Sequence, residues 1–173
     1  MKKSIPFHLF LLLIILQLVA CSKPLPQLPA NKGVEIDSAA VSLLTINKTL
    51  SFREDSLLQH YVNTKTIGFK KNKLGFWFKI ERHTTNPTLL SKKQIQIEYQ
   101  VYFMSGKPVF SKIETIALGK KEEIRGLEEG LGLMRTGEQA TFIIPWYLAY
   151  GMKGFEHKIP PYTSVIFKIK VAN

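Results

Sequence analysis

A single cysteine, Cys21, is the only thiol in this chain, so a disulfide framework within it is excluded. Histidine is almost as scarce. His8, His60, His83 and His157 stand isolated, without the spacing that metal ligation needs, and no metal site or cofactor is expected. No glycine-rich phosphate loop, nucleophile with a neighbouring base, or internal repeat is visible. Acidic residues are also few, 13 against 24 basic ones, for a formal charge of +11 of which Lys2 and Lys3 supply only two. Such a balance suits an anionic membrane surface, an acidic partner or nucleic acid. The lysines are scattered, however, and the start of the chain carries an export signal, so no nucleic acid partner is expected.

That signal is the one long hydrophobic run. Met1-Lys2-Lys3 makes a positive end, and Ile5 to Ala20 is apolar but too short for a comfortable span of about 20 residues. Residues 1–20 therefore read as a secretory signal. Leu18-Val19-Ala20-Cys21 resembles a bacterial lipobox, which implies diacylglycerol on the Cys21 sulfur, cleavage before it and a lipid-anchored mature chain. The alternative is an unmodified cysteine in an ordinary signal. Residues 21–33, with Pro24, Pro26 and Pro29, read as the lipidated cysteine and an extended tether. Two acyl chains would supply most of the membrane affinity, with the basic surface secondary.

Residues 34–73 form an N-terminal extension. Val34 to Asn47 shows no clear period. Ser51-Phe52-Arg53-Glu54 has the spacing of a capping box, and Leu57, Leu58, Tyr61 and Val62 share one helical face, which predicts a helix from about Phe52 to Val62. Its role is packing on the domain or on a second copy, or docking a partner.

The remaining residues, 74–173, read as one α+β domain. After a turn at Asn72-Lys73-Leu74-Gly75, Phe76, Phe78 and Ile80 alternate with Trp77 and Lys79 in a half-buried strand. Ile95, Ile97, Tyr99 and Val101 alternate with glutamines and a glutamate in the clearest strand of the chain. Ser105 to Pro108 is a turn before Val109-Phe110. Ile124, Leu127, Leu131 and Met134 recur at steps of three, four and three, which predicts a helix of about three turns stopped by Gly137. Ala140 to Ile144 and the alternating Val165, Phe167, Ile169 and Val171 are two more strands.

Several segments appear together in a fixed order: Leu118-Gly119-Lys120-x-x-x-Ile124-x-Gly126-x-x-x-Gly130-Leu131, then Gly137, Pro145, Ala149-Tyr150-Gly151, Ile159-Pro160-Pro161 and Val165-Ile166-Phe167. In this the chain resembles the FK506-binding-protein (FKBP) type of peptidyl-prolyl cis-trans isomerase over residues 74–173. The resemblance implies an antiparallel sheet wrapped around one short helix, here with an N-terminal helical extension. It implies proline-containing polypeptide clients and a pocket walled by Tyr99, Phe110 and Phe167, closed by Ile159 and floored by Leu127. The Ile124 amide and the Tyr150 hydroxyl would be the donors to substrate carbonyls, with Ser111, Glu123 and Phe155 at the rim. By periodicity alone, Ile124, Leu127 and Phe167 would simply be core.

Some positions depart from the family's pattern. The floor is Leu127 where tryptophan is usual, Ser111 stands where an aspartate usually follows the phenylalanine, and Glu123 and Lys158 occupy apolar positions. The departures weigh against efficient turnover and macrolide binding more than against the fold. In layout the chain is similar to the gliding-motility-associated isomerase lipoproteins of Bacteroidetes, which implies a folding helper lipid-anchored in the cell envelope, at the outer membrane facing the periplasm. The alternative is a lipoprotein that keeps this fold as a binding or scaffold module with little catalysis.

Overall fold

The computed structural model describes residues 38–65, 67–91 and 94–172, so the signal, the Cys21 lipidation position and the tether lie outside the described residues. In strand β3 (Ile95–Phe103), Ile95, Ile97, Tyr99 and Val101 are buried, and the polar residues between them face solvent. A two-residue period does this whenever one face of a sheet is covered. The last strand, β6 (Val165–Val171), repeats the pattern. With β1 (Lys70–Lys71), β2 (Trp77–Arg82), β4 (Pro108–Ile116) and β5 (Gln139–Ile144), they form an antiparallel sheet of order β1-β2-β5-β6-β3-β4. The turn at Ser105-Gly106 joins β3 to β4, with the Phe103 amide donating to the Lys107 carbonyl at 2.9 Å. The expected α+β architecture, an antiparallel sheet around one short helix, is what the chain adopts.

That helix, called α2 here, is shorter than its apolar period suggests. It spans Arg125–Leu131, about two turns, and Gly132 caps it in a right-handed conformation. Met134 is nevertheless fully buried, because the chain folds back in a turn in which the Leu133 and Met134 amides donate to the carbonyls of Gly130 and Leu131. Gly137, at φ +77°, turns the chain into β5 and does not end the helix. Two glycines let the helix lie directly on β5. A Cβ on Gly126 would stand 2.4 Å from Ile144 Cγ2, and one on Gly130 would stand 2.4 Å from Phe142 Cε2.

The preceding helix, α1, corrects the reading of the extension. It is helical throughout Ser38–Lys65, so the part of that run from Ser38 to Asn47 is regular and Ser51 is internal to the helix. The Ser51 hydroxyl donates to the Asn47 carbonyl at 2.8 Å, and Thr49 and Ser56 bond back in the same way to Thr45 and Phe52. Hydroxyl residues satisfied on their own helix backbone do not have to start one. No apolar period shows in the first half because Leu43, Leu44 and Ile46 are all exposed. Met1–Leu43 and Leu44–Asn173 are separate compact units, and of the first only the helical residues from Ser38 are described.

Within the second unit, Leu58 and Val62 of α1 pack with Trp77 and Ile143, flanked by Tyr61 and Ile166. The β2 strand is therefore covered on both faces. Phe76 and Phe78 join the main core, and Trp77, predicted on the solvent side, is 7% exposed beneath α1.

Candidate active site

Three strands bring an aromatic wall together. Tyr99 lies on β3, and the β3–β4 register sets it opposite Lys112 and sets Val101 opposite Phe110. On the other side of β3, Phe167 of β6 also pairs with Val101. The Tyr99 ring sits 5.4 Å from Phe167 and 6.3 Å, nearly edge-on, from Phe110. Phe167 and Leu127 are fully buried and Ile159 is 1% exposed, so these three are the base of the site. Phe110, Ile124, Tyr150 and Phe155 are only partly buried against the same core and form its accessible part.

The wall continues through a loop. After a 3-10 turn at Trp146–Leu148, the Tyr150 ring stacks on Phe155 at 4.8 Å, and Phe155 lies 5.5 Å from Phe110. Phe155 and Ile159 exchange backbone hydrogen bonds of 2.9 and 3.0 Å, making a tight finger. Only glycine fits at position 154, where φ is +70° and a Cβ would stand 2.2 Å from the Ile159 carbonyl oxygen. Lys158, polar where the pattern expects an apolar side chain, is not buried. Its Nζ ion-pairs with Glu156 at 2.7 Å and lies 5.8 and 5.9 Å from the ring centres of Phe110 and Phe155.

Two donors beside this wall have no hydrogen-bond partner among the described residues. Ile124 is the residue that opens α2; its carbonyl accepts from the Leu127 and Glu128 amides, and its own amide makes no hydrogen bond among the described residues. The loop before it is held by Glu128, whose Oε1 accepts from the Gly119 amide at 2.7 Å and the Lys121 amide at 3.2 Å. The Tyr150 hydroxyl likewise has no hydrogen-bond partner among the described residues. Burial, and then the negative charges of Glu123 and Glu114, hold its phenol well above the usual range, so it is a neutral donor at any ordinary pH.

The charged groups differ from expectation at one position. Ser111 is exposed and pairs with Gln100 on the outward face of the sheet, so it is not brought to the site. The carboxylate there is that of Glu114, which pairs with Ile97 on the inward face. Its Oε2 ion-pairs with Lys112, and its Oε1 is buried without a well-formed hydrogen bond. The Tyr99 hydroxyl interacts with this carboxylate without the alignment of a full hydrogen bond. Burial first, and this contact second, raise the Tyr99 phenol far above its ordinary value. Counting by twos from Phe110 reaches Lys112 and Glu114, so the signal was present in the strand period. Glu123 is half-buried at the rim; burial, and next the Glu114 charge, push its carboxyl upward, which Lys112 partly opposes.

A separate cleft of about 800 Å³, lined by Leu90, Leu118, Lys121, Arg125 and Leu133 among others, shares only Glu123 with the residues of this site. It has no aromatic wall. The aromatic site, with its two unsatisfied donors, has the composition to grip an apolar ring joined to an amide.

Residues 86–172, half of the chain and all of this site, match the family model described as FKBP-type peptidyl-prolyl cis-trans isomerase. A probable FKBP-type peptidyl-prolyl cis-trans isomerase of Haemophilus influenzae is 30% identical over 105 residues, 59% of this chain and 44% of that protein. The chain thus spans less than half the length of that relative. An FK506-binding protein of Neisseria meningitidis is 31% identical over 84 residues, 46% of this chain and 77% of that protein. Among solved structures, a peptidyl-prolyl cis-trans isomerase of Pseudomonas syringae superposes with a TM-score of 0.62 at 21% identity, covering 73% of this chain and 93% of that one; that likeness is one of fold. The structure of AtFKBP13 gives a TM-score of 0.55 at 26% identity, covering 61% of this chain and 97% of that one.

Proposed function

The chain belongs to the FKBP-type peptidyl-prolyl cis-trans isomerase family, and from that premise we propose that it catalyses rotation about the peptide bond preceding proline in polypeptide clients. Such rotation gives up amide resonance and faces a barrier of about 18–20 kcal/mol. Uncatalysed, it takes roughly 10–100 s. No bond is made or broken, so no nucleophile or proton relay is required. The site must bind the twisted amide better than the planar one.

The observation that carries this reading is the continuous ring wall, Phe167-Tyr99-Phe110-Phe155-Tyr150, beside an Ile124 amide and a Tyr150 hydroxyl that have no hydrogen-bond partner among the described residues. The proline ring lies against the wall, out of water, where the more polar planar amide is poorly solvated. Carbonyls flanking the rotating bond are held by the Ile124 N–H and the Tyr150 O–H. The Phe155 ring, seated between Tyr150 and Phe110 with Lys158 across it, narrows the part of the wall open to a client, which supports slower turnover or a mainly binding role as the second reading.

The cellular reading rests on the sequence. The Leu18-Val19-Ala20-Cys21 pattern supports a lipid anchor at Cys21, and the basic, proline-containing tether after it supports an isomerase held at the envelope membrane, aiding the folding of envelope or secreted proteins. The similarity of layout to gliding-motility lipoproteins supports clients among surface machinery.

Refolding of an unfolded protein whose slow phase is limited by proline isomerisation tests the activity on a polypeptide. Acceleration of that phase, with the fast phases unchanged, is expected; an unaltered slow phase at stoichiometric protein would overturn it. In cells, Cys21→Ala is expected to move the protein from the membrane to the soluble fraction, and retention in the membrane would remove the anchor from the account.

A further inference from the structure

The Ser51–Glu54 spacing is not a helix cap, which leaves Glu54 without the role that the sequence suggests, beside a second carboxylate, Asp55. In the folded chain they reach the two feet of the loop that carries Tyr150, Phe155 and Ile159. On the entry side, the Tyr147 hydroxyl donates to Asp55 Oδ1. On the exit side, the Ser164 hydroxyl donates to Glu54 Oε1 at 2.5 Å and accepts from the Trp146 amide at 2.9 Å. The hydroxyl of Ser164, the residue before β6, thus joins Glu54 to Trp146, the first residue of the loop's 3-10 turn. Ser164 is 5% exposed and Trp146 6%, so the bond between them is shielded from water, while the two bonds to the carboxylates are part-buried. Tyr147 is seated as well, since a Cβ on Gly75 would stand 2.8 Å from its hydroxyl oxygen.

The loop needs such an anchor. Its own backbone bonds are local: the Ala149 and Gly151 amides to the Trp146 carbonyl, the Lys158 amide to the Phe155 carbonyl, the Phe155–Ile159 pair, and, as the one bond between its two arms, the Tyr162 amide to the Gly151 carbonyl. Glu156, His157 and Tyr162 all hold positive φ, a conformation that costs non-glycine residues energy. Left to itself, a segment with one bond between its arms and several strained residues samples many arrangements, and the Tyr150 hydroxyl loses its fixed position relative to the Ile124 amide.

We propose that Glu54 and Asp55 are positioning residues of the isomerase site: from α1 they clasp the two feet of the Trp146–Ser164 loop and so fix Tyr150, Phe155 and Ile159 for the client. The proposal rests on the isomerase reading of that site. It makes the second half of α1 part of the working enzyme and not a detachable extension. The seat of Leu58 and Val62 against Trp77 and Ile143 supplies the apolar half of the attachment, and the two carboxylates supply its register.

The test uses the full chain and four variants: Glu54→Ala with Asp55→Ala, Glu54→Gln with Asp55→Asn, Tyr147→Phe, and Ile95→Val as a core change remote from the loop. Amide hydrogen exchange over 149–163 and KM and kcat on an X-Pro peptide are measured beside thermal unfolding. In the double alanine variant, loop exchange is expected to rise about ten-fold or more, the equivalent of one charge-assisted hydrogen bond. KM is expected to rise with it by more than kcat falls. The Gln/Asn pair, whose amide oxygens still accept, recovers most of both, and Ile95→Val lowers the melting temperature while leaving both unchanged. Loop exchange that stays at the wild-type rate in the double alanine variant overturns the proposal, as does a rise that Ile95→Val reproduces. If the double alanine variant does not fold, Tyr147→Phe decides: a smaller rise confined to the loop supports the clasp, and none overturns it. Absence of turnover in the wild type would remove the isomerase reading, and the exchange result would still decide whether the loop is clasped.

Discussion

Tyr147 and Tyr150, three residues apart, are expected to respond in opposite ways to loss of the hydroxyl. The Tyr147 hydroxyl is bonded to the Asp55 carboxylate, whereas that of Tyr150 has no partner among the described residues. A hydrogen bond to a charged group contributes about 1.5–3 kcal/mol, and the part-buried position of this one favours the lower end. For a domain of this size each kcal/mol moves the melting temperature by roughly 3–5 °C, so Tyr147→Phe should lower it by about 5–8 °C. Tyr150→Phe should stay within about 0.5 kcal/mol of wild type, because no protein bond is lost. Its cost falls on catalysis. A donor to a substrate carbonyl worth about 0.5–1.5 kcal/mol lowers kcat/KM roughly 2- to 12-fold. Circular dichroism melting curves and exchange rates on one X-Pro peptide, taken side by side, check both halves. Equal melting shifts for the two variants, or full activity in Tyr150→Phe, would refute the assignment of the two hydroxyls.

Gly130→Ala should destabilise the fold by about 1–3 kcal/mol, since its Cβ must enter the Phe142 ring and a packed core cannot absorb it; denaturant unfolding checks this. Glu123→Gln should raise thermal stability near neutral pH. A carboxyl raised in the folded state contributes stability at pH below its unfolded value and loses it as pH rises, so the amide removes that loss, and melting curves at pH 4 and 7 should diverge between variant and wild type. The phenols of Tyr99, Tyr147 and Tyr150 are all raised in the folded state. Their contribution is complete below about pH 10, the unfolded phenol value, and declines above it, so stability should fall steeply in alkali and Tyr147→Phe should flatten that fall.

The strands were legible where one face meets the core and the other meets water: along Ile95–Val101 of β3 and most of β6, buried and outward residues alternate because the core lies against one face. Trp77 was misread for the opposite reason. On β2, α1 covers the second face, and nothing in the local period announces a helix arriving from elsewhere in the chain. The first half of α1 was invisible because its leucines and isoleucine are exposed and impose no apolar stripe. Met134 kept the helical step of three while leaving the helix, since a tight turn can bury a side chain as well as a third helical turn can.

The residues of the site came from the family resemblance, and the structure brings Tyr99, Phe110, Tyr150 and Phe155 around a base of Phe167, Leu127 and Ile159. Ser111 looked like the site's polar neighbour by adjacency to Phe110, but adjacent residues in a strand face opposite ways. Glu114, two steps farther on the inward face, takes that place. The bonds from Asp55 to Tyr147 and from Glu54 to Ser164 join residues 92 and 110 positions apart. No local pattern encodes such pairs, and only the folded chain shows them.

The central claim is that the aromatic wall with its two free donors turns X-Pro bonds. Exchange spectroscopy on short peptides, with the full chain held in detergent micelles and the residue before proline varied, measures that turnover without a coupled enzyme. The account predicts cis-trans exchange well above the uncatalysed rate for at least some of these residues, and several-fold less with Tyr150→Phe at an unchanged melting temperature. Exchange at the uncatalysed rate for every residue tried, from a chain that melts cooperatively, would contradict it.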